Sequence, residues 1–247
     1  METNILKLLA VADIASIGNV LSGLFAIIAI IIGDSILAAQ FLLLAVICDA
    51  LDGTLARKFK KDRSPIFGET IDSLADMVSF GVAPAVILYK IIPTVFSFIP
   101  MLLLVICGIL RLTRYNAIAS EQTGPTTVFV GLPIPTSALM LSMIILANIN
   151  NPYLIILVMT IMAILMVSNI DYVKVADKKI IGILGILTIL CIIPPVNDLL
   201  LKLPSYIVLV CLLIYIFGTL IMELFFKKHN PKLKLPIATH KNDLHKK

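Results

Sequence analysis

The chain has 247 residues; 60% are apolar, only 14% are charged, and the mean hydropathy is +1.06. A soluble domain is about half apolar and about a quarter charged, so a water-solvated exterior is excluded and the fold class is an all-α polytopic membrane protein. The formal charge of +5 sits in short loops and a terminal tail rather than along a stripe, which argues against nucleic acid as a partner.

Taken in chain order, Asn4 to Asp13 places Ile5, Leu8, Leu9 and Ala12 at helical spacing beside Lys7 and Asp13. That pattern predicts an N-terminal amphipathic helix lying in the membrane interface rather than a cleaved leader. A spanning helix needs about 20 mostly apolar residues, and about eight stretches qualify as transmembrane helices. They run over 16–33, 36–57, 68–90, 95–117, 129–148, 152–168, 180–195 and 205–226. The fifth and sixth are so close that they form a tight hairpin around Asn148 to Pro152. Cys48, Cys107, Cys191 and Cys211 all lie inside apolar runs without CxxC spacing and read as small buried hydrophobes. The three histidines fall in the last 19 residues, so no internal histidine site exists. Residues 1–226 therefore read as a single transmembrane domain and 227–247 as a basic cytoplasmic tail that is solvated or bound to headgroups.

Charge orients the bundle. With both termini cytoplasmic, every Lys and Arg except Lys90 and Lys202 falls on the cytoplasmic side, as the positive-inside rule requires. The protein is expected to be integral to the cytoplasmic membrane.

Four of the 15 acidic residues sit in or at the ends of neighbouring apolar spans: Asp49, Asp52, Asp72 and Asp76. Ionisable groups there are costly and mark a functional site. Asp49 and Asp52 are three apart and share a face of the second span; Asp72 and Asp76 are four apart and share a face of the third. A short basic connection makes these spans antiparallel neighbours, so the carboxylates converge at one depth and repel unless cations neutralise them. Oxygen-only ligands suit hard divalent ions, Mg²⁺ or Mn²⁺. Gly53 and Ala56 after Asp52, and Gly68 before Asp72, provide close approach to the backbone, for a nucleotide or for a neighbouring helix. Salt bridges to Arg57 or Lys58 and a cation relay are the competing uses of these acids. A transporter would want a second set of acids along a pathway, or an internal repeat, and neither occurs.

The residues read Asp49-x-x-Asp52-Gly53-x-x-Ala56-Arg57, then Gly68-x-x-x-Asp72-x-x-x-Asp76. This resembles the signature of the CDP-alcohol phosphatidyltransferases, with all eight positions filled over some 28 residues. Three more stretches, Ser79-Phe80-Gly81-Val-Ala-Pro84 after Asp76, Arg111-Leu-Thr-Arg114-Tyr115-Asn116, and Phe129-Val-Gly131-Leu-Pro133-Ile-Pro135, resemble the phosphatidylserine synthase branch, including members acting on CDP-archaeol. Thr113 stands where Ala is common in that branch.

The resemblance implies a catalytic domain in which an acceptor hydroxyl attacks the β-phosphate of a CDP-lipid, CDP-diacylglycerol or CDP-archaeol, and CMP leaves. It implies two divalent cations held by Asp49, Asp52, Asp72 and Asp76, with Asp76 also the catalytic base. Asp52, Gly53, Ala56, Arg57 and Gly68 would line the nucleotide site, with Asn19 of the first span touching it. If the acceptor is L-serine, its carboxylate wants a guanidinium fork, which Arg111 or Arg114 would supply. Ser79, Asn116 and Asn169 are weaker polar candidates. Glycerol phosphate and inositol phosphate are the alternative acceptors, served by Arg111, Arg114 and Lys174 together. The family is commonly homodimeric, although no GxxxG marks an interface here.

Overall fold

The computed structural model describes residues 5–58, 65–121, 128–173, 178–193 and 202–229, with 196, 199 and 200. A four-residue helix α1 (Ile5–Leu8) precedes α2 (Val11–Ile31) and α3 (Ser35–Lys58). The N-terminal helix expected over Asn4 to Asp13 is shorter, with α1 covering Ile5–Leu8 and Asp13 lying in α2. The chain breaks at Leu9–Ala10, because the Asp13 carboxylate accepts the Ala10 N–H at 2.8 Å and so caps the start of α2. The first span therefore begins at Val11, five residues earlier than expected.

α2 buries Ala12, Ser16, Asn19, Ser22, Ala26 and Ala29, all small or polar and three or four apart, with Gly23 beside Ser22. Most of its large side chains, among them Ile14, Leu21, Phe25 and Ile28, are exposed to the surroundings, which in this chain means lipid, while Ile30 is buried. Small residues at the interface let backbones approach, and van der Waals packing then holds helices that no hydrophobic effect drives together. α3 lies against α2 in the most extensive helix pair among the described residues.

α4 (Pro65–Asp76) continues through a π-helical turn (Met77–Val82) into α5 (Ala83–Ile91). In that turn the Ala83 N–H bonds to the Val78 carbonyl, five residues back. Pro84 has no N–H to donate, and the Phe80 carbonyl four residues back instead accepts the Ser137 hydroxyl at 3.0 Å. A side chain from elsewhere in the bundle thus satisfies a group that the proline frees. A 3₁₀ turn (Val95–Ser97) leads into α6 (Phe98–Glu121).

The expected span 129–148 divides. Val128–Val130 is a strand, β1, paired antiparallel with β2 (Asp171–Val173), Phe129 opposite Tyr172. Helix α7 begins only at Pro135 and ends at Leu146. Gly131, at φ 81°, and Pro133 prevent the helix from starting earlier. α7 is only 12 residues, about 18 Å long, short of the roughly 30 Å of a hydrocarbon core.

The hairpin from α7 to α8 (Pro152–Val167) is as tight as expected. Asn148 takes φ 58°, and the Asn151 side chain caps α8 by accepting the Tyr153 and Leu154 N–H groups at 3.1 and 3.2 Å. α9 (Lys178–Ile192) and the last helix, α10 (Leu203–His229), close the bundle. α10 extends three residues into the expected tail, whose residues from 230 onward lie outside those described. Among the described residues five helices are long and apolar enough to cross a membrane: Val11–Ile31, Ser35–Ala56, Ile66–Ile91, Val95–Ser120 and Leu203–Glu223. Three further apolar helices, Pro135–Leu146, Pro152–Val167 and Gly182–Ile192, are shorter.

Candidate active site

α3 and α4 bring the four aspartates together. Carboxylate oxygens of Asp49, Asp52 and Asp72 all lie within 4.8 Å of one another. Asp76 lies against Asp49 as Asp72 lies against Asp52, so both contacts cross between the helices. Helix α2 forms the floor. The Ser16 hydroxyl donates to Asp52 Oδ2 at 3.0 Å, and Asn19 Nδ2 donates to Asp76 Oδ1 at 3.0 Å. The Ser79 hydroxyl, on the π-helical turn, donates to the Asn19 carbonyl at 2.9 Å. Gly23, one turn along α2, makes this possible: a Cβ there would fall on the backbone and side chain of Ser79.

One buried oxygen of the cluster, Asp72 Oδ1, has no hydrogen-bond donor. A buried carboxylate oxygen without a partner is destabilising. An oxygen-only set of carboxylates with such an atom fits a hard divalent cation.

Arg111 on α6 is buried, at 6% exposure, within electrostatic reach of Asp76 and Asp49. Its guanidinium carbon lies 5.2 Å from the Tyr115 ring centroid and 5.8 Å from that of Phe129 on β1. The two rings are themselves 6.1 Å apart. Three such similar distances place both rings on one side of the guanidinium. Among the described residues, no group accepts a hydrogen bond from Arg111.

Arg114 is employed elsewhere. Its guanidinium donates to the carbonyls of Val167, Ser168, Val130 and Met166 at 3.2, 3.0, 2.7 and 2.9 Å. With all four terminal donors on main-chain oxygens, Arg114 joins α6 to β1 and the end of α8. Asn19 and Ser79 are both fully buried, the first holding Asp76 and the second holding Asn19. Asn116 exchanges hydrogen bonds with Ser73 at 2.9 and 3.2 Å, fixing α6 to the helix that carries Asp72 and Asp76. Asn169 precedes β2 and Gly53 and Ala56 follow Asp52 on α3, with Gly68 on α4; the Arg57 side chain and Lys174 lie outside the described residues. Ser16 and Phe129 were given no role from sequence. For Ser16 a signal existed: it sits three residues before Asn19 on one face of an otherwise apolar helix. A cavity of about 530 Å³, lined by Gln40, Pro93, Asn148 and Lys202 among others, opens at the opposite end of the bundle from the aspartates.

Residues 9–169 match the CDP-alcohol phosphatidyltransferase family. The chain belongs to that family. The matched stretch contains the aspartates, α2 beneath them and both arginines, so this CDP-alcohol phosphatidyltransferase carries the whole described site within its family domain. Among curated proteins it is 38% identical, over 70% of its length and 74% of the relative's, to the archaetidylserine synthase of Methanothermobacter thermautotrophicus. It is 32% identical to the CDP-diacylglycerol–serine O-phosphatidyltransferase of Methanocaldococcus jannaschii, over 87% of this chain and 95% of that one. The Bacillus subtilis protein of the same name is 35% identical over 64% of this chain and 86% of its own length.

Proposed function

We propose that this phosphatidyltransferase transfers the phosphatidyl or archaetidyl group of CDP-diacylglycerol or CDP-archaeol to the hydroxyl of L-serine, releasing CMP. The observation that carries the acceptor is Arg111: a buried guanidinium with no hydrogen-bond acceptor among the described residues, placed beside Asp76. A carboxylate is the group such a fork binds best. Among the described side chains Arg111 is the one cation against the aspartates, since Arg114 is taken up by carbonyls. That favours an acceptor with a single carboxylate over a phosphorylated one. The names of the three relatives agree with this reading.

In this mechanism Asp49, Asp52, Asp72 and Asp76 would hold two divalent cations, Mg²⁺ or Mn²⁺. When bound, such ions neutralise the pyrophosphate and stabilise the attacking and leaving oxygens. Asp76, oriented by Asn19, accepts the proton of the serine hydroxyl as its oxygen forms a bond to the β-phosphorus. The bond from that phosphorus to the oxygen of CMP breaks, and CMP departs with the electron pair. Gly53, Ala56 and Gly68 leave room for the nucleotide along α3 and α4, with Arg57 toward its phosphates. Arg111 holds the serine carboxylate so that the hydroxyl lies near Asp76. The positive-inside pattern supports a site opening to the cytoplasm, and the family resemblance supports a homodimer.

The test is CMP release by purified protein supplied with CDP-diacylglycerol or CDP-archaeol, Mg²⁺ or Mn²⁺, and serine, glycerol phosphate or inositol phosphate in turn. Release with serine, abolished by EDTA, is expected. Release only with a phosphorylated acceptor would retain the aspartate site and overturn the serine assignment.

A further inference from the structure

Arg111 has no hydrogen bond to fix it among the described residues, yet a guanidinium that selects an acceptor must be held still. What touches it is aromatic. Tyr115 is its neighbour one turn along α6, but Phe129 comes from β1, beyond the end of α6 in sequence. We infer that Phe129 is a positioning residue for Arg111, and that Arg114 sets the position of Phe129; this rests on the reading of Arg111 as the carboxylate-binding group.

The chain of contacts is continuous. Arg114 donates to the carbonyl of Val130, the residue after Phe129, at 2.7 Å, and at the same time to Met166, Val167 and Ser168 at the end of α8. Gly131 lets that happen. Its N–H reaches the Ile170 carbonyl at 2.8 Å in a left-handed conformation (φ 81°), and a Cβ there would collide with the Met166 carbonyl and the Arg114 guanidinium. β2 completes the support, with Tyr172 fully buried opposite Phe129. β1 thus has little freedom to shift along α6, and its one large aromatic side chain is delivered to the guanidinium. Tyr115 and Phe129 both lie against Arg111, which is within electrostatic reach of Asp76 and Asp49, and an acceptor carboxylate held by Arg111 would sit beside those aspartates. A cation over an aromatic face is stabilised by the ring quadrupole, most strongly where water is excluded.

The experiment uses the full chain in CDP-lipid mixed micelles and compares Phe129→Leu, Phe129→Tyr, Arg114→Lys and Arg111→Gln. The KM for serine, the KM for the CDP-lipid, kcat and the melting temperature are measured for each. Phe129→Leu should raise the serine KM on the order of tenfold, as loss of a desolvated cation–π contact implies, with the CDP-lipid KM unchanged. Phe129→Tyr keeps an aromatic face and should restore the serine KM. Arg114→Lys, which replaces a four-carbonyl fork by a point charge, should move the serine KM in the same direction as Phe129→Leu. A serine KM unmoved by Phe129→Leu in folded protein overturns the inference, as does a rise in both KM values together. If Phe129→Leu does not accumulate in folded form, Phe129→Met is measured under the same criteria. The two readings fail differently. An unchanged serine KM in Arg111→Gln removes the acceptor assignment and the inference with it. A raised value there, with Phe129→Leu silent, removes only the positioning role.

Discussion

Helices α2 and α9 are both apolar and both turn large aliphatics outward, yet they differ in what their other faces do. α2 turns Ser16, Asn19, Ser22 and Gly23 inward and its large aliphatics outward, and its inward groups reach Asp52 and Asp76. α9 exposes Ile180, Ile183, Ile186 and Ile189, and around Gly182 and Gly185 nothing lies within 4 Å of where a side chain would begin. Hydropathy places both in the membrane. Polarity turned inward separates the helix that serves the chemistry from the one that faces lipid, because lipid gives an unpaired polar group no partner.

The sharpest way to break this contrast is at the aspartates that α2 supports. Asp72→Asn and Asp76→Asn are each expected to lower CMP release by roughly 10³-fold or more, within the range for loss of a general base or metal ligand. The protein should still purify folded by size exclusion. EDTA should abolish turnover of the wild type, and added Mg²⁺ or Mn²⁺ should restore it; full activity after chelation would remove the cation site. Arg111→Gln should raise the serine KM by about 10- to 100-fold, the worth of a charged hydrogen bond. Gly23→Val tests packing rather than chemistry. Its side chain would occupy the space of Ser79, so a stability loss of about 1–3 kcal/mol is expected from the melting or denaturation midpoint. Gly182→Ala is the matching control on the lipid-facing helix. It should leave activity unchanged and shift stability by no more than about 1 kcal/mol, in the stabilising direction.

The aspartate quartet was legible in the sequence because spacings of three and four residues within a helix define a face, and a short connection fixes the partner. The roles of Arg111 and Arg114 were not separable in the same way. Three residues apart on one helix, they share a face in any wheel, and what distinguishes them is a sheet formed by strands more than 40 residues apart in the chain. The start of the fifth apolar stretch was misread for a related reason: Val128–Val130 is apolar enough to begin a span, and pairing with Asp171–Val173 makes it a strand. Asp13 was assigned to a surface helix because hydrophobic spacing cannot reveal that a carboxylate will cap the next helix instead. Asn19 was recognisable as out of place in lipid. Its partner, 57 residues away, was not.

The π-helical turn at Met77–Val82 has a consequence for the length of the chain. An α-helix advances about 100° per residue, and a turn that bonds five residues back absorbs one residue more than its neighbours do. Asp72 and Asp76 face α2 and α3 on one side of this turn, while Ala83, Ile87 and Leu88 face the bundle core on the other. If all six residues of this segment wound as an ordinary α-helix, the aspartates would turn by about a quarter of a revolution away from Asp49 and Asp52. Removing one residue between 77 and 82, by contrast, would let the segment return to α-helix with both flanks close to their present facings. The turn thus lets the chain carry one residue more than an ordinary helix would between the acids and the core, without turning either away from its partners.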